Sequence, residues 1–325
     1  MSAVANPADP ALGERGTGTG SGDGPAPSKW STKRKLLVLL GVYIVGLIVI
    51  VALTGAHGTR NEAFKPQNEF KLETWVNLGV FSINKAVMYL VIAATLTCAS
   101  MIYIARRMQD RPNRVQTAVE MLYQLMRDNI AGGNMSEKML ARWFPFIGTL
   151  FLFILFSNLI GYIPLPTSTD RAVDIAGFHL PAFSLYAATA NLSIPLVLAL
   201  VVFVSYTVEG VRAKGPIGYL KGLIPGGVTG AMAGAIFVLE LISNFMRLMS
   251  LSIRLFANIL AGHLIILFMA GALAVILGVA WLAWLTLPLG VLLFAFEVGL
   301  VAALQAFIFA TLTAIYLGGA VADNH

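Results

Sequence analysis

Cysteine is almost absent from this 325-residue chain: Cys98 stands alone, inside an apolar run. A single thiol excludes an intrachain disulfide and a thiolate metal site. Charge is scarce too, at 12% Asp, Glu, Lys and Arg, about half of what soluble domains carry. No GxxxxGK[ST] loop, HExxH pair or nucleophile elbow occurs, so soluble-enzyme chemistry has no foothold. Internal repeats are missing as well, including the paired broken helices that secondary transporters with inverted repeats often show. What remains is apolar surface: 58% of the residues are hydrophobic. That composition predicts an all-α, polytopic membrane helical bundle, with no cofactor, metal ion or nucleic acid implied.

Residues 1–28 are rich in Gly, Pro, Ala, Ser and Thr and read as disordered, within a tail over 1–35. "KWSTKRK" (29–35) then precedes the apolar run Leu36–Leu53. This run is either an extra N-terminal spanning helix or a signal segment, with "TGA" (54–56) as a cleavage site. Further apolar segments lie at 86–105, 143–163, 186–208, 228–270 and 284–319. The last two exceed a simple perpendicular span of ~20 residues, which predicts two long, tilted or bent C-terminal helices. Residues 113–131 place Val115, Val119, Leu122, Met126 and Ile130 on one helical face. That face suits a helix lying on the membrane, or docking on a partner helix. Gly226, Gly230 and Gly234 form a small-xxx-small series that permits close helix packing.

Basic residues orient the bundle. With the N-terminus inside, stretches 1–35, 106–142 and 209–227 hold five, seven and three Lys or Arg, while 54–85, 164–185 and 271–283 hold four, one and none. This threefold bias predicts six crossings with both termini in the cytoplasm.

Between Val228 and Val321 there are four formal charges, Glu240, Arg247, Arg254 and Glu297. A central arginine in a span costs roughly 2.5–3.5 kcal/mol on translocon-derived scales. On a helix, Glu240, Asn244, Arg247, Leu251, Arg254 and Asn258 form one stripe, which needs protein or water beside it. His263 falls about 180° around from Arg254 and ~13 Å along the axis, so it addresses another compartment. Glu297 and Gln305 share a broad face two turns apart. Arginine keeps its charge in proteins, whereas Glu and His can carry protons. A fixed cation between two sets of titratable groups suits protons that reach one site from both sides without passing straight through. No carboxylate here is obviously committed to Arg254, which points to an acid on another chain. Plainer roles stand beside this: Arg254 snorkelling or bridging to Glu297, Arg247 snorkelling or meeting headgroups, His263 as an interior histidine, Asn258 and Gln305 as interhelical glue. His57, His179 and His325 lie in outer or terminal stretches and receive no role.

"LISNFMRLMSLSIRLFANILAGHLI" (241–265) and "LQAFIFATLTAIYLGGA" (304–320) strongly resemble the last two helices of subunit a of F-type ATP synthases. "FSNLIGYIP" (156–164), "ATANLSIPLVLAL" (188–200) and "FSINKAVMYL" (81–90) look like its earlier signatures, so the resemblance covers a membrane domain over 81–322. It implies the proton-channel stator of a rotary ATP synthase in the bacterial plasma membrane, with the two last helices against a rotating c-subunit ring. Arg254 corresponds to the family's essential arginine, and Asn258 and Gln305 to its polar neighbours. His263 and Glu297 match the pair lining the half-channel open to the outside, in the order also found in mitochondrial members. Many bacterial members carry Glu first and His second. Glu240 matches a position of the cytoplasmic half-channel and Asn191 one near the outer half-channel. The implied partners are the c ring, b-type peripheral stalk subunits and membrane lipid. The implied subunit is non-catalytic and carries no ATP chemistry itself. Because the ion-binding acid belongs to the partner, Na⁺ stands beside H⁺ as a coupling ion. A stand-alone ion channel or secondary transporter is the rival reading. A polytopic membrane enzyme is less well matched, because the polar residues sit at helix depth rather than at one membrane face.

Overall fold

The computed structural model describes residues 32–54, 74–77, 82–107, 113–175, 178–184, 186–224, 228, 230–269 and 279–322. Most of the expected tail, the cleavage-like stretch beyond Thr54, His57, Gly226 and His325 lie outside them. The run Leu36–Leu53 lies within helix α1, Thr32–Thr54. At 1.5 Å per residue α1 is ~35 Å long, enough for a ~30 Å hydrocarbon core. Leu36, Leu37, Leu39 and Leu40 are all exposed, as expected of a helix that is apolar all round.

The remaining elements belong to a second compact unit, Ile50–His325. A hairpin of β1 (Thr74–Asn77) and β2 (Ser82–Asn84) leads into α2 (Lys85–Arg107), whose start is capped by Asn84 Oδ1 accepting the Val87 amide at 3.0 Å. Helix α3 (Arg114–Gln124) continues as a π-helical turn, Leu125–Gly132, and α4 covers Glu137–Ile160. A second antiparallel hairpin, β3 (Leu165–Ile175) with β4 (Phe178–Ser184), precedes a 3-10 turn at Ala188–Ala190 and α5 (Ser193–Lys214). Then come α6 (Pro216–Lys221) and α7 (Ala231–Leu267). Helix α8 (Ala280–Phe296), a π-helical turn at Glu297–Val301 and α9 (Ala302–Val321) run on from one another.

Helices α2, α4, α5, α7 and the α8–α9 run are long and apolar enough to cross a membrane. With α1, all six apolar runs of the sequence are helical. At 1.5 Å per residue α7 reaches ~55 Å and the α8–α9 run ~60 Å, nearly twice the hydrocarbon thickness. The membrane part is thus an all-α bundle with two long C-terminal helices. The two hairpins are an addition to the sequence reading. Residues 165–184 mix prolines with polar and charged side chains, and their ladder is irregular at two points, so no clean alternation announces them.

Ile147, Phe151 and Ile154 of α4, Val202 of α5, Leu251, Leu255 and Ile259 of α7, and Phe309 and Leu317 of α9 form the centre of the bundle. Lipid supplies no hydrophobic drive between helices, so close contact and dispersion hold them. Helix α9 achieves this with Ala302, Ala306, Ala310 and Ala314, one per turn and each 0% exposed. These alanines form the small-residue seam among the described residues. A Cβ at Gly230 or Gly234 would meet nothing within 4 Å, and Gly230 instead serves a backbone with φ +72°. On the face predicted over 113–131, Met126 and Ile130 of the π-helical turn are buried, with Leu122 of α3 beside them, in the same core as α4 and α9. These three residues pack on the chain's own bundle.

Close approach is tightest where α9 passes the turn before α4. A Cβ on Gly318 would fall on the Asn134 carbonyl oxygen, whereas one on Gly319 would meet nothing. Gly318→Ala should therefore cost about 1–3 kcal/mol of stability. Thermal unfolding in detergent would read this as a lowered midpoint, while Gly319→Ala stays at the wild-type value.

Candidate functional site

The polar stripe of α7 straddles the border between its buried and exposed faces. Asn244 and Leu251 turn inward, Arg247 and Arg254 are exposed, and Glu240 and Asn258 are half-buried. Arg247 reaches back two turns to Glu240, with Nη2 3.5 Å from Oε1, and its Nη1 donates to Asn244 Oδ1 at 3.5 Å. Its guanidinium also lies over the Tyr316 ring of α9, 5.8 Å from the centroid. Glu240, Asn244 and Arg247 line one wall of a cavity of about 430 Å³, with Tyr206, Lys214 and Tyr316 among its other lining residues. This intramolecular pairing stands beside the plainer snorkelling role of Arg247.

Arg254 differs. It stands one turn from the buried Leu251 and next to the buried Leu255, yet is itself exposed. Among the described residues no carboxylate lies within ion-pair distance of it. The bridge to Glu297 considered above is not formed, because Glu297 is engaged elsewhere.

That engagement brings together two of the sequence-predicted residues. His263 is buried, with Nδ1 2.9 Å from the Ile259 carbonyl oxygen and Nε2 3.1 Å from that of Gly161. A neutral imidazole has one N–H and can satisfy only one of these acceptors, while the imidazolium can donate to both. The Tyr162 ring stacks on His263 at 4.7 Å and 24°. The Tyr162 hydroxyl donates to Glu297 Oε2 at 3.1 Å. The Glu297 carboxylate rests against Gly262, where a Cβ would collide with it.

The π-helical turn aligns Glu297 with the seam of α9. Eight residues of regular α-helix would set Glu297 and Gln305 about 80° apart, at 100° per residue. In the π turn the Ala302 amide donates to the Glu297 carbonyl, five residues back. This absorbs one residue and leaves an offset nearer 20°. Gln305 is buried on that face, 6% exposed. Immediately beyond the turn, Asn158 Nδ2 donates to the Ala302 carbonyl at 3.3 Å and Asn158 Oδ1 accepts from Thr189 Oγ1 at 2.8 Å.

Asn191 is not joined to this cluster by any described hydrogen bond. Its Oδ1 accepts the Ser193 amide at 3.0 Å and shapes the start of α5. The sequence reading passed over Tyr162, Asn158 and Gly262. Tyr162 lies in "FSNLIGYIP" at the end of an apolar run, where a tyrosine is indistinguishable from the aromatic belt of any spanning helix.

The family described as ATP synthase A chain matches residues 87–318. The chain is 38% identical to ATP synthase subunit a of Rubrobacter xylanophilus over 238 residues, covering 73% of this chain and 83% of the relative. It is 33% identical to that of Bradyrhizobium diazoefficiens over 270 residues, covering 80% and 98%. With that of Gloeobacter violaceus it shares 34% over 252 residues, covering 77% and 89%. By its helices, its motifs and these similarities, the chain belongs to the ATP synthase A chain family.

Proposed function

We propose that this chain is the proton-channel stator of a rotary ATP synthase, offering two offset half-channels to a rotating ring of c subunits. The carrying observation is the placement of Arg254: exposed, without an ion-pair partner among the described residues, near the middle of α7 and between two polar clusters. Glu240 and its cavity stand ~21 Å away towards one end of the helix, and His263 with Glu297 ~13 Å away towards the other, at 1.5 Å per residue.

In this reading a proton enters from outside near Asn191, His263 and Glu297 and neutralises a ring carboxylate that has just left Arg254. Desolvation strongly favours the uncharged acid, so the neutral carboxyl can travel through lipid. After nearly a full turn of the ring it reaches the inner cleft and releases its proton towards the cytoplasm near Glu240. Arg254 stabilises the deprotonated acid there and bars a direct leak. Asn258, one turn further along α7, and the buried Gln305 of α9 supply hydrogen bonds beside that passage. The basic-residue bias supports both termini inside, and the similarity to bacterial relatives supports the bacterial plasma membrane. Residues 36–53 serve as an additional spanning helix, 81–322 form the subunit a-like membrane domain, and b-type stalk subunits hold the stator still.

Arg254→Ala should abolish ATP synthesis driven by a proton gradient in membrane vesicles. Arg254→Lys should fail as well, because a lysine desolvated against the ring can lose its proton and lacks the planar fork. Near-normal synthesis in either variant would refute the role. The rival stand-alone channel is separated by reconstitution. The isolated chain in liposomes should show no flux of a pH-sensitive dye above empty liposomes, and the chain assembled with its ring should conduct.

A further inference from the structure

We infer that Tyr162 is the positioning residue of the outer proton site, fixing the Glu297 carboxylate with its hydroxyl and the His263 ring with its face. The inference rests on the reading of His263 and Glu297 as that site.

His263 and Glu297 form no ion pair with each other among the described residues. Tyr162 touches both, by the stack at 4.7 Å and the hydrogen bond at 3.1 Å. Its own place is well determined. The residue is 5% exposed, its amide donates to the Leu159 carbonyl at 3.2 Å, and Phe294 meets its ring edge-on at 5.8 Å. Ile266 of α7 and Ala302 of α9 complete its packing. The preceding residue contributes through its backbone, since the Gly161 carbonyl faces His263 Nε2. A Cβ on Gly161 would collide with Ala187, so this close approach needs glycine. The two residues that follow α4 thus hold both titratable groups, one through the main chain and one through a phenol.

The hydroxyl is the chemically decisive part. A phenylalanine would fill the same space and keep the stack. Only a donor stabilises the carboxylate in its charged form, and such charge-assisted bonds are the strong ones. Gly262 leaves room for the carboxylate against the backbone of α7. Glu297 is therefore held between the Tyr162 donor and a bare stretch of backbone.

The test uses the complete ATP synthase in membrane vesicles, with synthesis rate measured against outer pH at fixed inner pH. A carboxylate that loses a donor holds its proton more tightly. Tyr162→Phe should therefore move the half-maximal outer pH to the alkaline side by about half a unit to one unit, in complexes assembled to the wild-type amount. Gly262→Ala leaves Tyr162 intact but pushes the carboxylate off it, and should shift the profile in the same direction. Tyr162→Leu, which also removes the stack, should lower the maximal rate further. Profiles of Tyr162→Phe and Gly262→Ala that both superimpose on wild type would overturn the inference, while Glu297→Gln still impairs synthesis. Wild-type synthesis in Glu297→Gln would instead overturn the site reading on which it rests.

Discussion

A guanidinium keeps its proton in a protein, and hydrocarbon offers it nothing to bond. Arg254 is therefore a standing cost to this chain unless something outside it supplies an anion. An acid on a neighbouring helix of the same bundle would have removed that cost cheaply. The chain uses this solution for Arg142 of α4, which meets the buried Glu209 of α5 at 3.0 Å, and pairs Arg247 with Glu240 within α7 itself. Arg254 stands on an exposed face and has no such pairing among the described residues. The contrast between paired and unpaired arginines in one bundle is the constraint around which the proposed mechanism is built, since a permanent internal partner would compete with a ring carboxylate for the same charge.

The arrangement on either side follows from helical geometry and from where the chain can bring other elements close. Towards one end of α7 the polar groups open onto a cavity lined by tyrosines and basic residues. Towards the other they are enclosed, His263 at 4% exposure, and are reached by the end of α4 and the π turn before α9. An open vestibule and a tight cluster impose different chemistry. Water can solvate a charge in the first, whereas the second must satisfy each charge with fixed donors and acceptors. That difference explains why the enclosed side carries a tyrosine hydroxyl, a backbone carbonyl and a cleared glycine within a few ångströms.

Much of this was legible in the sequence because the bilayer simplifies the code. Every long apolar run became a helix, and the isolated Glu240, Arg254, His263 and Glu297 stood out because so little else in those runs is polar. Features that depend on packing between distant segments were not legible. Tyr162 reads as an interfacial aromatic until α4 is set against α7 and α9. Gly230 and Gly234 resemble part of a packing seam, whereas the alanines of α9 form one, because small size matters only where a neighbouring helix arrives. The amphipathic face of α3 was correctly periodic, but periodicity does not say whether lipid or the chain's own core will cover it. The β3–β4 hairpin lacks the alternation that half-buried strands show.

The π turn at Glu297 shows how one residue of register decides what a helix presents. The alanine seam of α9 runs back through Ala314, Ala310, Ala306 and Ala302 in steps of four. Continued as a regular α-helix, the next residue on that inward line would be Val298. The five-residue hydrogen bond from Ala302 to Glu297 moves the line by one position and places the carboxylate there instead. A π turn is a rare interruption of an α-helix and is frequent at functional sites. Here it reconciles two demands that a uniform helix could not meet together: alanines facing α4 and α5 for close packing, and an acid facing Gly262, Tyr162 and His263. Asn158, donating to Ala302 directly after the turn, anchors the point at which one register gives way to the other.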